Sequence, residues 1–237
     1  MQSVRDVQIA LRQRGYDPGP ADGILGRRTI AAIKAFQADK GLFVDGVAGT
    51  ATLRLLFPTG SHNPESALLV PWYAEASRHL GLQEVAGRKH NPTILSWLER
   101  LKASWRDDET AWCGTFVGWC IAATLPNEPL PTNPFAARSW AKFGRPLDRP
   151  AVGAVVALWR GSPDGWQGHT GFIKSISPDG KALEIRGGNQ GNRVRDDWFS
   201  TDRLLENGIR WPMTAPLPNA SRVPVSAVGG PLSRNEA

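Results

Sequence analysis

The stretch Asp107-Asp108-Glu109-Thr110-Ala111-Trp112-Cys113-Gly114-Thr115-Phe116-Val117-Gly118-Trp119-Cys120 reads as a polar turn running into a buried helix. Thr110 can cap that helix, which places Cys113 in its first turn. Backbone N–H groups there lack intrahelical partners and the helix dipole is positive, so both favour a thiolate over a thiol. Phe116, Val117 and Cys120 follow Cys113 on one face, and Cys120 reads as a small core side chain. Asp107, Asp108 and Glu109 oppose a thiolate, so an activated Cys113 requires their side chains to point away. The two cysteines stand roughly 10 Å apart in helical rise, beyond the ~7 Å between Cα atoms that a disulfide spans. They are expected to be free.

A nucleophilic cysteine needs a base, and the chain has four histidines. His169 opens an alternating stretch, 169–176, that reads as a strand with Gly171 on the same face as the ring. That glycine is expected to leave open space beside the imidazole. A second strand, 181–186, runs into GGNQGN at 187–192. If the two strands form a hairpin, Asn189 lies near His169 and its amide oxygen can accept from one ring nitrogen. The expected constellation is Cys113 as nucleophile, His169 as base and Asn189 as the group that orients the ring.

Around these motifs, helix patterns fall at 71–80, 92–102, 111–123 and 134–143, and strand patterns at 153–159, 169–176, 181–186 and 193–199. Strands gathered after helices predict an α+β domain with an antiparallel sheet. All ten tryptophans lie between Trp72 and Trp211. The first 57 residues therefore form a separate unit, followed by a Pro/Ser/Asn-rich linker at 58–66. The hydrolase-type domain is expected at 67–213. Residues 214–237, rich in Pro, Ala, Ser and Gly, read as a disordered tail.

The first unit contains an echo: DGILGRRT at 22–29 and DGVAGTAT at 45–52 both read DGxxGxxT. Val4, Val7 and Leu11 supply one helical apolar face, Ile30, Ile33 and Phe36 a second, and Leu53, Leu56 and Phe57 a third. Each Asp can close an Asx turn, each Gly can take a positive φ, and each Thr can cap the helix that follows. Two similar loops that launch two helices predict a small three-helix bundle.

Composition narrows the function classes. At 237 residues, 41% hydrophobic and 21% charged, the chain is an ordinary globular one. The longest apolar run, Ala154 to Trp159, is far short of the about 20 residues that a membrane span needs. The N-terminus lacks the apolar core of a signal peptide. The net charge of +6 is spread along the chain without a basic run, and no nucleic-acid module accompanies it. No HxH or HExxH pattern supports zinc, no acidic loop supports calcium, and no glycine-rich loop precedes a helix to hold phosphate. No cofactor or metal is expected.

Residues 4–57, with VQIALRQRGY, DGILGRRTIAAIKAFQ and GLFVDGVAGTATLRLL, resemble the peptidoglycan-binding domain of cell-wall hydrolases. Residues 67–213 resemble the CHAP group of cysteine- and histidine-dependent amidohydrolases and peptidases, close to the NlpC-type peptidases and within the papain-like class. The motifs that carry this are Trp112-Cys113, Gly168-His169-Thr170-Gly171-Phe172 and Gly187-Gly188-Asn189-Gln190, in that order. One departure is the Gly187-Gly188 pair where many CHAP domains have Glu before the Asn; Glu184 lies in another register and receives no catalytic role. The resemblance implies a bacterial peptidoglycan hydrolase that cuts an amide bond of the peptide moiety, in the manner of a phage or prophage endolysin. A non-catalytic wall-binding protein and a secreted antibacterial toxin are the alternatives. Peptidoglycan is the implied partner, with no nucleic acid, no membrane insertion and a monomeric state. Synthesis in the cytoplasm and action at the cell wall after release follow from the same reading. Trp112 is the candidate for lining a substrate groove, while most other tryptophans are expected in the core.

Overall fold

The computed structural model describes residues 3–57, 70–87, 89–218, 223–226 and 229–233. The chain divides into two compact units, 1–75 and 76–237. The expected linker at 58–66 lies outside the described residues.

The first unit holds α1 (Val4–Gln13), α2 (Arg27–Asp39) and α3 (Thr50–Leu56). Ser3 and Asp6 start α1 with a capping box: Ser3 Oγ accepts from the Asp6 N–H, and Asp6 accepts from the Ser3 N–H. Val7, Leu11, Ile33, Phe36, Leu53 and Leu56 are buried in one cluster. The two DGxxGxxT loops are built alike, each around one buried glutamine. The Gln8 side-chain NH2 donates to Asp22, Ile24 O and Thr29, while its oxygen accepts from the Gly23 N–H. The Gln37 NH2 donates to Asp45, Val47 O and Thr52, and its oxygen accepts from the Gly46 N–H. The Asx turns form, with Asp22 and Asp45 accepting from Ile24 and Val47 N–H at 2.8 and 2.7 Å. The threonines differ from expectation. Gly26 and Gly49 are the N-caps, with no side-chain cap, because the Thr29 and Thr52 hydroxyls are engaged with the glutamines.

The second unit is α+β. Six strands, β1 (Arg145–Pro146), β2 (Val155–Trp159), β3 (Gly168–Ile176), β4 (Ala182–Gly187), β5 (Arg195–Ser200) and β6 (Leu204–Trp211), form one antiparallel sheet in the order β1-β6-β2-β3-β4-β5. The unit also contains α5 (Pro92–Arg100) and α6 (Cys113–Thr124), while α4 (Pro71–Arg78) spans the division between the units. Asn91 caps α5, with Pro92 in its first turn. Helix α6 is apolar nearly all round, as a helix enclosed on several sides must be. It packs on β3 and against α5. The 134–143 helix pattern is realised as a short 3-10 turn, Ala137–Lys142.

Two strands escape the sequence pattern. In β6, Asn207 has φ +52° and Gly208 follows, so alternation breaks. The β2–β6 register shifts between Val156 and Leu158 at the same level. The tail also differs from expectation. Its described parts lie against the domain: Val225 bridges Ile176, Leu232 bridges Trp198 on the edge strand β5, and Val223 is buried. Glu128 accepts from the Met213 and Thr214 N–H groups at 2.7 Å each. Backbone pairing to a sheet edge needs no hydrophobic period, so composition does not reveal it.

Candidate active site

Cys113 is the first residue of α6, and Trp112, not Thr110, is its N-cap. Thr110 lies outside the helix with its N–H on Asp107 Oδ1 at 2.7 Å. The first helical hydrogen bond runs from Phe116 N–H to Trp112 O at 2.9 Å, which leaves the N–H groups of Cys113, Gly114 and Thr115 outside the ladder. Cys113 is only 6% exposed. Burial pushes its thiol up; the N–H groups of Thr170 and Gly114 and the Arg160 guanidinium draw it back, and burial wins. The expected obstacle is absent. Asp108 accepts from the Val85 and Asn91 N–H groups and meets His90 Nδ1 at 2.8 Å, Asp107 is turned to Thr110, and Glu109 accepts from the Gly87 N–H.

The Thr170 N–H that reaches the sulfur belongs to the residue after His169. The β3–β4 register begins at Phe172, so Thr170 lies past the end of that ladder. The hairpin inferred from sequence is present and carries the 187–192 loop back to the start of β3. There the amide partner of the imidazole is Gln190, not Asn189. Gln190 Oε1 lies 2.9 Å from His169 Nε2, and the Gln190 NH2 donates to Ile185 O and Arg195 O at 3.2 and 2.9 Å. Those two carbonyls fix which end of the amide faces the ring. An amide oxygen only accepts, so in the neutral ring Nε2 carries the proton and Nδ1 keeps the lone pair. His169 is fully buried and stacks on Phe199, with centroids 5.0 Å apart and planes at 21°.

Asn189 sits beside this pair with φ +57°, a left-handed conformation that Asn tolerates. It lines an adjoining cavity with Glu84 and Glu109. Alternation along an extended strand cannot choose between neighbouring amides once one of them takes a positive φ. The GGNQ and GHTGF motifs were the available signals for Gln190 and Thr170; nothing in the sequence pointed to Phe199. The glycines before the pair have steric roles. A Cβ on Gly187 would fall 3.1 Å from His169 Nε2, and one on Gly188 would fall 2.6 Å from Phe116 Cβ. Gly171 does not open space beside the ring, because a Cβ there would meet Ile185 Cγ2 at 2.6 Å.

Trp112 is fully buried, and its Nε1–H donates to Glu84 Oε1 at 2.6 Å. Its ring backs the site and offers no surface to a ligand, which corrects the groove-lining expectation. Trp166, in the β2–β3 connection, is by contrast 86% exposed. The other described histidines are engaged elsewhere, His79 edge-on to Trp97 and His90 on Asp108. Glu184 pairs with Lys174 and Ser175 on β3. Among the described residues no three His, Cys, Asp or Glu side chains converge as a metal site requires.

Comparison with known proteins agrees with both halves of this architecture. Residues 1–56 match the family model described as a peptidoglycan binding domain, and residues 105–189 match that of the CHAP domain. A spore cortex-lytic enzyme of Bacillus cereus is 33% identical over 66 residues, 28% of this chain and 26% of the relative. A second spore cortex-lytic enzyme from Bacillus cereus matches to the same extent. The chain thus spans about a quarter of the length of the curated relatives it matches. No solved structure matches.

Proposed function

We propose that this chain, in which a peptidoglycan binding domain precedes a CHAP domain, hydrolyses an amide bond in the peptide moiety of peptidoglycan. On this reading the first unit is a three-helix wall-binding bundle and the second a papain-like hydrolase. The observation that carries it is the fixed imidazole: Gln190 holds His169 Nε2 at 2.9 Å, and the next residue, Thr170, turns its N–H to the Cys113 sulfur.

His169 Nδ1 takes the Cys113 proton, which the buried thiol does not release readily by itself. The sulfur then attacks the amide carbonyl carbon. The Cys113 N–H, outside the helical ladder, donates to the oxyanion. The imidazolium returns its proton to the leaving amine, and water hydrolyses the thioester. Gln190 accepts from Nε2–H throughout, a role the sequence assigned to Asn189. Supply by a phage or prophage as an endolysin, with action at the cell wall, is the biological setting we propose.

Cys113→Ala tests the reaction. Turbidity clearance of purified sacculi is expected to fall by about a thousandfold or more, with pelleting on sacculi retained. Unchanged clearance would leave a wall-binding protein without this chemistry. Mass spectrometry of the wild-type digest identifies the bond: a freed alanine amine on an intact peptide marks an amidase, and internal cleavage marks an endopeptidase.

A further inference from the structure

Two limbs of chain meet at the reacting groups: residues 107–113, which end in Cys113, and residues 187–194, which bring Gln190 to the imidazole. The segment 81–91 is fastened to both. It pairs with the second limb through its backbone. The Gly81 N–H donates to Val194 O at 2.8 Å, the Val194 N–H to Leu82 O at 2.7 Å and the Glu84 N–H to Asn192 O at 3.0 Å, with Gln83 bridging Arg193. The Gln190 N–H closes the same loop on Arg193 O at 3.0 Å. On the first limb, Asp108 accepts from the Val85 and Asn91 N–H groups at 3.0 and 2.7 Å, and Glu109 accepts from the Gly87 N–H at 3.1 Å.

Glu84 is where the two fastenings join. Its backbone N–H holds the 187–194 limb, and its side chain accepts from Trp112 Nε1–H at 2.6 Å. Trp112 is the N-cap of α6 and the residue next to Cys113. Its six-membered ring lies against the other limb, where a Cβ on Gly188 would fall 2.6 Å from Cζ3 and 2.8 Å from Cε3. One fully buried indole thus spaces the cysteine helix from the loop of Gln190, stopped at one edge by Gly188 and tethered at the other by Glu84. A buried indole N–H needs an acceptor, and losing it costs the full desolvation of that group. Burial, reinforced by Asp108 and Glu109, pushes the Glu84 carboxyl up against the pull of the Trp112 N–H. An oxygen at this place, rather than a charge, is therefore what the indole requires.

We propose that Glu84 is a positioning residue for the reaction: acting through Trp112, it sets the separation and alignment of the Cys113 sulfur and the His169 ring. Without the tether the indole can turn on Gly188, and the two limbs move independently. The thiol then loses its base before any substrate is present.

This inference rests on the hydrolase reading, and the experiment separates the two. Two substitutions in the full chain cut the link from opposite ends: E84L removes the acceptor, and W112F removes the donor while keeping an aromatic ring. E84Q retains an oxygen and is the conservative rescue. In sacculus clearance, E84L and W112F are each expected to lose about tenfold or more in kcat with KM within about twofold, while E84Q keeps most of the wild-type rate. The double variant E84L/W112F should lose no more than either single one, since both break the same link. Alkylation of Cys113 by iodoacetamide, with Cys113→Ala as the blank, gives a readout without substrate. Its pH profile should move to higher pH in E84L and W112F, as the sulfur loses its base, and stay in place in E84Q. A merely structural role would lower the melting temperature and leave that profile where it is. An unmoved profile or an unchanged kcat in W112F, which also decides the matter should E84L not fold, would overturn the positioning role while leaving the hydrolase intact. So would an E84Q protein as impaired as E84L, or single losses that multiply in the double variant. Clearance that survives in Cys113→Ala would overturn the hydrolase reading, with the alkylation profiles still deciding whether Glu84 positions the pair.

Discussion

At the scale of single residues, Gln190 sets the protonation of His169. Its NH2 is spent on Ile185 O and Arg195 O, so only its oxygen is left to face Nε2. Gln190→Leu should lower kcat by about 100-fold with little change in KM, because the ring loses its orientation and its preferred tautomer. Imidazole 15N NMR provides an independent check: the proton resides on Nε2 in the wild type and redistributes in the variant. A wild-type proton on Nδ1 would contradict the assignment. The same substitution orphans two buried carbonyls and should cost about 1–3 kcal/mol of stability. Asn189→Ala, which leaves the Nε2 contact in place, is expected to spare the tautomer.

Elements carry the next set of consequences. The two DGxxGxxT loops each close on one buried glutamine whose amide group contacts the loop's aspartate, threonine and backbone. Gln37→Leu removes those partners from the second loop, and the loss should exceed about 2 kcal/mol in urea unfolding of the first unit. Where α6 meets the 187–192 loop, Gly188→Ala would drive a methyl group into Phe116 and the Trp112 ring. Both belong to the helix start that holds Cys113, so this substitution should reduce activity and melting temperature together. The hairpin of β3 and β4 was legible as two short apolar-rich runs separated by Pro178-Asp179-Gly180, although both strands are buried at most of their residues. Strand β6 was not, since Asn207 and Gly208 interrupt its alternation while backbone pairing to β2 holds it in place.

For the whole molecule, stability follows its buried carboxylates. Burial would raise the Asp108 carboxyl, but the Val85 and Asn91 N–H groups and His90 hold it below the usual range. Asp196 is likewise held down, against burial, by Arg186 and Lys174. A carboxyl depressed in the folded state contributes stability above its unfolded pKa, about 4, and loses it as pH falls through the folded value. Unfolding midpoints should therefore hold down to about pH 5 and drop below it. Asp196→Asn should lower stability near neutrality by about 1.5–3 kcal/mol and flatten that acid limb; an unaltered limb would contradict the assignment. If the first unit concentrates the second on the wall, removing residues 1–57 should weaken sacculus clearance more at low enzyme dose than at high dose.

The amino-acid sequence by itself determined the two-part organisation, the α+β class of the second part and the free cysteines, and it named Cys113 and His169 as the candidate pair. These rest on local signals: hydrophobic period, turn chemistry, and a short motif at a helix start or on a strand. Tertiary structure alone decided which amide serves the imidazole, that Thr110 does not cap α6, that Trp112 is walled in, and that parts of the tail lie along the sheet. Each of these depends on side chains or backbone edges brought together from distant segments. A neighbouring glutamine and asparagine are equivalent in a sequence pattern until one positive φ and two carbonyl acceptors separate them.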